Sequence, residues 1–502
     1  MSKRIYLSIC LIAACLSQAL HAQQISYEEV FKAQKYSVFD IGYPLMVAPA
    51  GADDFLFIEY WPGEIAGRKE DNYYLQRYNI REYGELWFKP LTYIGYDQVP
   101  EVLDLHKLDK KYVMLGHQYD GKKLKTVARF FDPDGKSLEL DVTPISKYDK
   151  GVSAKDPNEK FYYSPADKCF MWFAEVGGKY YASAWNTNAE NVWNKTLEIP
   201  YVDKYTIIDA VIDDKATPTF LLKQSKPSYS KKDTTFPPLI MRMNVASGKF
   251  NVEKIDLDSM YMLLGNLQLV NNDEAIVAGV VSNSDPKDKT KTGILNGVKA
   301  NLPGQQRWTN FYCSRYKFAG DSIKLMRDSI SDIPDNWTDK YGSIGSNFVT
   351  SRLEVEQGTK SGVEPTALLI VEEVYRQDDK IFFCDIGAVG FRINDCTNSF
   401  ASIVSKKQRD QGSGQYYSYA LGHTKAKYHF VYLSEGGASG KLLCQSLDLK
   451  TGKISEKMLA KNDQALYYFF PSRSRMVNGT QMILVGTGNP SQNNYKLITV
   501  MF

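Results

Sequence analysis

Eight short apolar runs divide this chain at a near-constant interval, and each run ends in polar, turn-forming residues. They occupy residues 55–58, 112–115, 169–173, 220–222, 275–278, 368–371, 428–432 and 482–485. Successive starts lie about 50 to 60 residues apart, except for one gap of about 93, which fits one period plus extra chain. A sequence of this kind repeats one small supersecondary unit, and its core grows by stacking copies rather than by enlarging a single interior. The runs are apolar at consecutive positions instead of alternating. Alternation marks a strand with one wet face; continuous apolarity marks burial on both faces. Each run therefore predicts a strand held between two neighbouring sheets.

The unit around the second run shows the grammar. Residues 102–106 read as an inner strand, 112–117 as the second and 125–131 as the third. The turn Asp132-Pro133-Asp134-Gly135 then leads to 137–142 as the fourth. Glycine after a short polar residue supplies the positive φ that a tight hairpin needs. Gly248 in Val245-Ala246-Ser247-Gly248-Lys249 and Gly452 in Leu449-Lys450-Thr451-Gly452-Lys453 fall in the same slot, as does Gly84 in a looser turn. Outer strands read as half-exposed: Leu138, Leu140 and Val142 alternate with Glu139 and Asp141. No Pro/Ser linker or low-complexity tract divides the chain.

Two registered repeats, the second strands and the closing turns, resemble those of the β-propeller superfamily across nearly the whole length. The resemblance is one of pattern. No repeated Trp-Asp dipeptide, Kelch double glycine or Asp-box accompanies it, so no functional residue is carried over. It implies an all-β chain, a single β-propeller of about eight four-stranded blades, seven being the alternative. The last unit offers only three strands, and 25–39 at the N-terminus is expected to supply the fourth and close the ring. The wide gap predicts an insertion near 312–345, where Ile323, Met326, Ile330 and Ile333 are spaced for one face of a helix that Pro334 would end, although Ile323 and Leu325 also allow a strand.

The first 22 residues read as a secretion signal, leaving 23–502 as the propeller domain. Lys3 and Arg4 precede an apolar stretch at 5–16, with cleavage after Ala22, or after Ala19 with the small Ser17 at −3. Ile12-Ala13-Ala14-Cys15 also has the pattern of a lipoprotein box, in which acylated Cys15 would tether the chain to a membrane. No later stretch reaches the roughly 18 apolar residues of a membrane helix. The expected location is the periplasm, the outer surface or the extracellular space. A net charge of +3 leaves no electrostatic case for nucleic acid. The pairs Lys122-Lys123, Lys231-Lys232 and Lys406-Lys407 read as solvated loop charges.

Chemistry is sparse. The mature chain keeps His106, His117, His423 and His429, paired on neighbouring strands of two units. Two imidazoles do not make a zinc site. Glu372 and Glu373 are adjacent, so on a strand they face opposite sides and cannot flank one bond. Cys384 and Cys396 flank one hairpin and are candidates for a disulfide, the alternative being two buried thiols. Neither a cofactor nor a metal site is expected. The 34 tyrosines are the one unusual composition signal, and most sit in predicted strands. Aromatic residues in predicted loops are the ligand candidates: Trp61, Tyr229 and Trp337 above all, with Tyr119 and Tyr201. These features favour an exported, non-catalytic binding or scaffold protein that presents one propeller face to a glycan, peptide or protein. The alternative is a secreted polysaccharide-acting hydrolase or lyase with carboxylates or histidines drawn from several blades.

Overall fold

The computed structural model describes residues 43–502 apart from several segments, the longest being 92–100, 147–157, 225–236, 283–293, 300–307, 338–347 and 410–417. The segment expected to close the ring, 25–39, lies outside the described residues, as do the signal and its cleavage sites. The chain is all-β and forms an eight-bladed β-propeller of antiparallel, four-stranded sheets.

All eight apolar runs are second strands of blades. Blade 1 runs Tyr43–Pro49, Asp54–Trp61, Asn72–Asn79 and Gly84–Leu91 from the inner to the outer strand. Blade 2 comprises Glu101–Leu108, Lys111–Asp120, Lys123–Phe131 and Thr143–Pro144; blade 3, Asn158–Tyr163, Cys169–Val176, Lys179–Asn186 and Asn191–Leu197. Blade 4 is Tyr205–Ile212, Pro218–Gln224, Leu239–Met243 and Phe250–Lys254, and blade 5 Tyr261–Asn271, Glu274–Ser282, Asn310–Ala319 and Ser322–Asp332. Blade 6 is Phe348–Glu356, Thr366–Gln377, Lys380–Arg392 and Asn398–Val404, with Gln408–Arg409 added beside the third strand. Blade 7 is Ala420–Thr424, Lys427–Leu433, Lys441–Asp448 and Ile454–Lys461. In blade 8 the inner position is shared by Tyr468–Phe469 and Arg475–Asn478, broken by a 3-10 turn at Pro471–Arg473; both pairs lie against Gln481–Asn489, whose other edge takes Asn494–Met501.

Two compact units emerge: residues 1–92, 413–446 and 455–502 in one, and 93–412 with 447–454 in the other. The same packing rule governs each. In the larger unit, Phe170, Trp172 and Ala174 of one second strand join a core with Val113, Leu115 and Phe130 of blade 2. The alternate residues Cys169, Met171 and Phe173 join a different core with Phe220 and Leu222 of blade 4. Leu221 then packs with Ala275 and Val277 of blade 5, and Ile276 and Ala278 with Leu369 and Val371 of blade 6. In the smaller unit, Met482 and Leu484 face blade 7, while Ile483 and Val485 face Phe55 and Phe57 of blade 1. The second strands of blades 3, 4, 5 and 8 thus send alternate side chains into two cores, which is why their sequences are apolar throughout.

Gly135, Gly248 and Gly452 all have positive φ in their closing turns, as the shared slot predicts. Gly84 instead opens its outer strand. In blade 2 Thr143–Pro144 pairs with the third strand and Ser137 bridges Phe131; of the expected outer strand 137–142, residues 139–142 lie outside the described residues.

The helix expected over 323–333 is a strand. Ser322–Asp332 is the outer strand of blade 5, so the stretch expected to hold the insertion begins inside a blade hairpin. A bulge explains the misleading spacing. Arg315 pairs with Arg327 and Tyr316 with Leu325, leaving Met326 as the extra residue. One inserted residue flips side-chain parity, so Ile323 and Ile330, seven residues apart, pack on the same core. The period-2 pattern is thereby disguised as a helical one.

Third strands carry arginines that reach back to acids at the start of a second strand, or in the turn that precedes it. Arg77 meets Asp54 at 2.8 Å, Arg315 meets Glu274 at 2.6 Å and Arg242 meets Asp213 at 2.5 Å. The last pair is deeply buried. Arg242 also donates to Thr219 and to the Gly320 carbonyl of blade 5, and its guanidinium lies 4.3 Å from the centre of the Phe318 ring. Removing one member of a buried pair leaves an uncompensated charge and costs about 3–5 kcal/mol. Asp213→Ala is therefore expected to lower unfolding free energy by roughly that amount in urea titration, and Arg77→Met, at a more exposed pair, by about 1 kcal/mol or less.

Candidate functional site

In the larger unit two aspartates of the inner strands join one blade to the next. Inner strands bulge near their entry in five blades, between Pro44 and Met46, Val102 and Asp104, Ile207 and Asp209, Met262 and Leu264, and Phe348 and Thr350. A bulge sharpens the local twist and re-aims the next side chain. In blades 2 and 4 that side chain is an aspartate. Asp104 Oδ1 accepts the N–H of Leu105 at 2.9 Å, and its Oδ2 accepts the Tyr163 hydroxyl of blade 3 at 2.6 Å. Asp209 repeats the arrangement: Oδ1 accepts from Ala210 N–H at 2.9 Å, and Oδ2 from Leu267 N–H at 2.9 Å and Asn266 Nδ2 at 3.2 Å, both of blade 5. Burial pushes the Asp209 carboxyl above the usual range in spite of these donors. The bulge aspartates clasp one blade to the next.

The histidines of blade 2 do not meet each other. His106 pairs across the sheet with Val113, and His117 with Glu101, so they occupy opposite ends of the blade. Each finds a carboxylate of blade 3 instead. His117 Nε2 lies 2.9 Å from Glu159 Oε2, whose other oxygen accepts the Thr126 hydroxyl at 2.5 Å. His106 Nε2 lies 3.0 Å from Asp167, with its ring stacked on Tyr163 at 3.5 Å between centres. In the smaller unit His429 sits between the Thr424 and Ser446 hydroxyls at 2.9 and 2.7 Å and stacks on Phe502. His423 stacks on Tyr428.

Blade 6 corrects one expectation. Lys406 is no solvated loop charge: its ammonium is fully buried, 2.5 Å from Glu372 and 2.9 Å from Gln408 Oε1. Its backbone N–H donates to Asp385 Oδ1 at 2.9 Å. Burial holds the lysine below its ordinary pKa against the opposing pull of Glu372. Lys223 is half-buried and donates to the Leu263 carbonyl of blade 5 at 2.7 Å, and partial burial lowers its pKa too. The sequence signal that was overlooked is a polar residue ending an otherwise apolar second strand, as at His117, Lys223 and Glu372, or interrupting an inner one, as in Ile207-Ile208-Asp209-Ala210.

The aromatic candidates fare differently. Trp337 is not a surface anchor but a core residue. It is 0% exposed, meets Phe311 edge-on at 5.4 Å, and fills the space where a Cβ on Gly387 would stand. Its backbone N–H closes a turn onto the Pro334 carbonyl at 2.9 Å, and the ring joins the core between blades 5 and 6. Trp61 ends the second strand of blade 1, opposite Asn72, and Tyr119 lies within that of blade 2. Tyr229 and Tyr201 lie outside the described residues. The suggested Cys384–Cys396 bridge is absent, both being buried free thiols. Among the described residues no group of three His, Cys, Asp or Glu is placed to hold a metal ion.

No protein-family model matches the sequence, and the search of curated proteins found no relative. Solved structures do share its architecture. The Dos1 propeller aligns over 95% of this chain and 96% of its own, at 10% identity and a TM-score of 0.43. Oligogalacturonate lyase from Vibrio parahaemolyticus aligns over 90% and 98%, at 8% identity and a TM-score of 0.38. TolB from Acinetobacter baumannii aligns over 84% and 80%, at 10% identity and 0.28. The class defined by the fold is the β-propeller.

His429 yields a pH prediction. Burial, then the nearby charges of Lys427 and His423, lowers its pKa from 6.5 to about 4. The folded state keeps the ring neutral while the unfolded chain takes up a proton below about pH 6.5. Its stabilising effect is thus complete above pH 6.5 and is lost as pH falls toward 4. A shift of this size corresponds to about 3 kcal/mol. Chemical denaturation of wild type should show a decline over pH 6.5–4 that is markedly shallower in His429→Gln.

Proposed function

We propose that this is an exported, non-catalytic binding or scaffold protein that presents one propeller face to a protein or glycan. The observation that carries the reading is the commitment of its acid–base groups. Asp104, Asp209, Glu159, Glu372 and Lys406 are each engaged by a partner inside or between the blades, and His106 by Asp167 at a partly exposed turn. A general acid or base must instead reach the proton it transfers in a bound substrate. The same bonds stiffen the seams, and a rigid scaffold carrying variable loops is the usual basis of recognition by folds of this kind.

The face in question carries the loops joining second to third strands and those joining successive blades. Two of the former, at 225–236 and 283–293, are rich in Lys, Ser, Thr, Asp and Pro. Recognition by long polar loops suits a hydrated partner, and Trp61 and Tyr229 are the aromatic residues proposed to contact it. Export rests on the basic start and apolar stretch of the first 22 residues, with the envelope or the medium as destination. Tethering through Cys15 would add a membrane.

The test pairs binding with turnover. Purified chain is titrated with labelled acidic and neutral polysaccharides and with envelope protein extract, and release of reducing or unsaturated sugar ends is followed in parallel. Saturable binding without new ends, weakened several-fold by Tyr229→Ala or Trp61→Ala, is the expected result. Turnover by wild type that disappears in Glu159→Gln or His117→Ala would replace this reading with the polysaccharide-acting enzyme, for which the His117–Glu159 pair is the best available acid–base couple. Fractionation of cells expressing the full chain, against a version lacking residues 2–22, tests export: retention of both in the cytoplasm would defeat it.

A further inference from the structure

Three blades close with the same six-residue turn, and one copy carries an unexpected residue. In blade 4, Asn244 N–H donates to the Lys249 carbonyl and Gly248 N–H to the Asn244 carbonyl, both at 2.8 Å. In blade 7 the equivalent bonds join Asp448 to Lys453 and Gly452 to Asp448, at 3.0 and 2.8 Å. In blade 6 they join Arg392 to Thr397 and Cys396 to Arg392, at 2.9 and 2.8 Å. The fifth residue is left-handed every time, with φ of 71°, 67° and 61°. Glycine adopts that conformation freely, whereas a residue with a Cβ is strained. Cys396 therefore occupies a glycine slot.

That slot faces the outer strand of the preceding blade. A Cβ on Gly248 would lie 3.7 Å from Lys195 of blade 3, and one on Gly452 would lie 2.6 Å from Phe400 of blade 6. Cys396 projects in the same sense, its Sγ 3.8 Å from the Arg327 carbonyl of the blade 5 outer strand. Arg327 pairs with Arg315 on the adjoining strand, and Cys313 lies two residues along on the same face, opposite Ser329. Cys313 and Cys396 belong to one apolar core with Ala278, Val389 and Trp337, and after burial the neighbouring Cys396 thiol is the main influence on the Cys313 thiol. Both are fully buried free thiols.

We propose that Cys313 and Cys396 form a cross-blade disulfide site that covalently locks the closing turn of blade 6 to the third strand of blade 5. The oxidant is a small-molecule disulfide such as oxidised glutathione, or an exchange catalyst with the same chemistry. One cysteine thiolate attacks a glutathione sulfur, forming a mixed disulfide and releasing one glutathione thiolate. The second cysteine thiolate then attacks the protein sulfur of that mixed disulfide and releases the other glutathione. Two protein thiols are oxidised by two electrons, and their two protons end on two reduced glutathiones. Burial and the neighbouring Cys396 sulfur push the Cys313 thiol well above its ordinary range. The folded protein should consequently react slowly, and the bond should form while the chain folds.

The experiment refolds the full chain in mixed oxidised and reduced glutathione, or in reduced glutathione alone. Remaining thiols are alkylated in denaturant, cross-linked peptides are mapped by mass spectrometry, and melting is recorded. The oxidised wild type should yield a Cys313–Cys396 linked peptide and melt about 3–6 °C above the reduced form. Cys396→Gly restores the residue the turn prefers, so it should fold and melt cooperatively, with no dependence on redox state. Cys313→Ala should behave likewise. Full alkylation of both cysteines after oxidative refolding would overturn the proposal. So would a bridge between other cysteines, a stable glutathione adduct without the bridge, or a redox-dependent melting shift that survives in Cys396→Gly.

Discussion

Everything in this structure depends on the second strand of each blade being buried on both sides. A sheet with one dry face needs only alternating apolar residues, and its other face can stay in water. Here Met171 and Phe173 enter one inter-blade core while Phe170 and Trp172 enter the other. Neither blade can pack without its neighbours. Side chains as large as Trp172 and Phe170 are wholly buried, and truncating such a residue in a core typically costs about 3–5 kcal/mol. Stability is thus distributed along successive interfaces, as in other repeat architectures.

Apolar packing alone would let neighbouring blades slide, because dispersion and hydrophobic burial have no direction. Direction comes from the polar clasps. The bulges place Asp104 and Asp209 where each carboxylate satisfies a donor of its own strand and another on the next blade. The buried Arg242 and the half-buried Lys223 each donate to a backbone carbonyl of blade 5, while the buried Lys406 is fixed by Glu372 within blade 6. Ion pairs of this sort add little net stability over apolar substitutes but strongly penalise a misaligned partner. Their effect on this propeller is register and rigidity.

The closing turns show how a repeat tolerates variation. A left-handed residue bearing a Cβ costs about 1 kcal/mol relative to glycine. Gly452 could not be replaced cheaply, since the Phe400 side chain fills the space beside it. At Cys396 the same geometry is kept, and the side chain that strains the turn also reaches the core of the adjacent blade. Local strain and long-range contact are properties of one residue.

While the choice of eight blades over seven came from the structure, the sequence by itself determined the propeller repeat, the second strands and the glycine turns. These are local consequences of period, two-sided burial and positive φ, and each leaves its mark within a dozen residues. What it did not determine were contacts between residues far apart in the chain. His117 and Glu159, Lys406 and Glu372, and Cys396 and Cys313 carry no common spacing, because the interval between them is set by loops of varying length. Proximity within a hairpin suggested Cys384 for Cys396, yet the turn aims that side chain out of its own blade. Ile323 and Met326 misled for a related reason: the bulge at Met326 exists only through pairing with Asn310–Ala319. Trp337 read as a loop residue because the core that receives it is built by Phe311 and Gly387 from two different blades. Period and turn chemistry are written along the chain, whereas the partner of a buried polar or aromatic group is chosen only when one blade packs on the next.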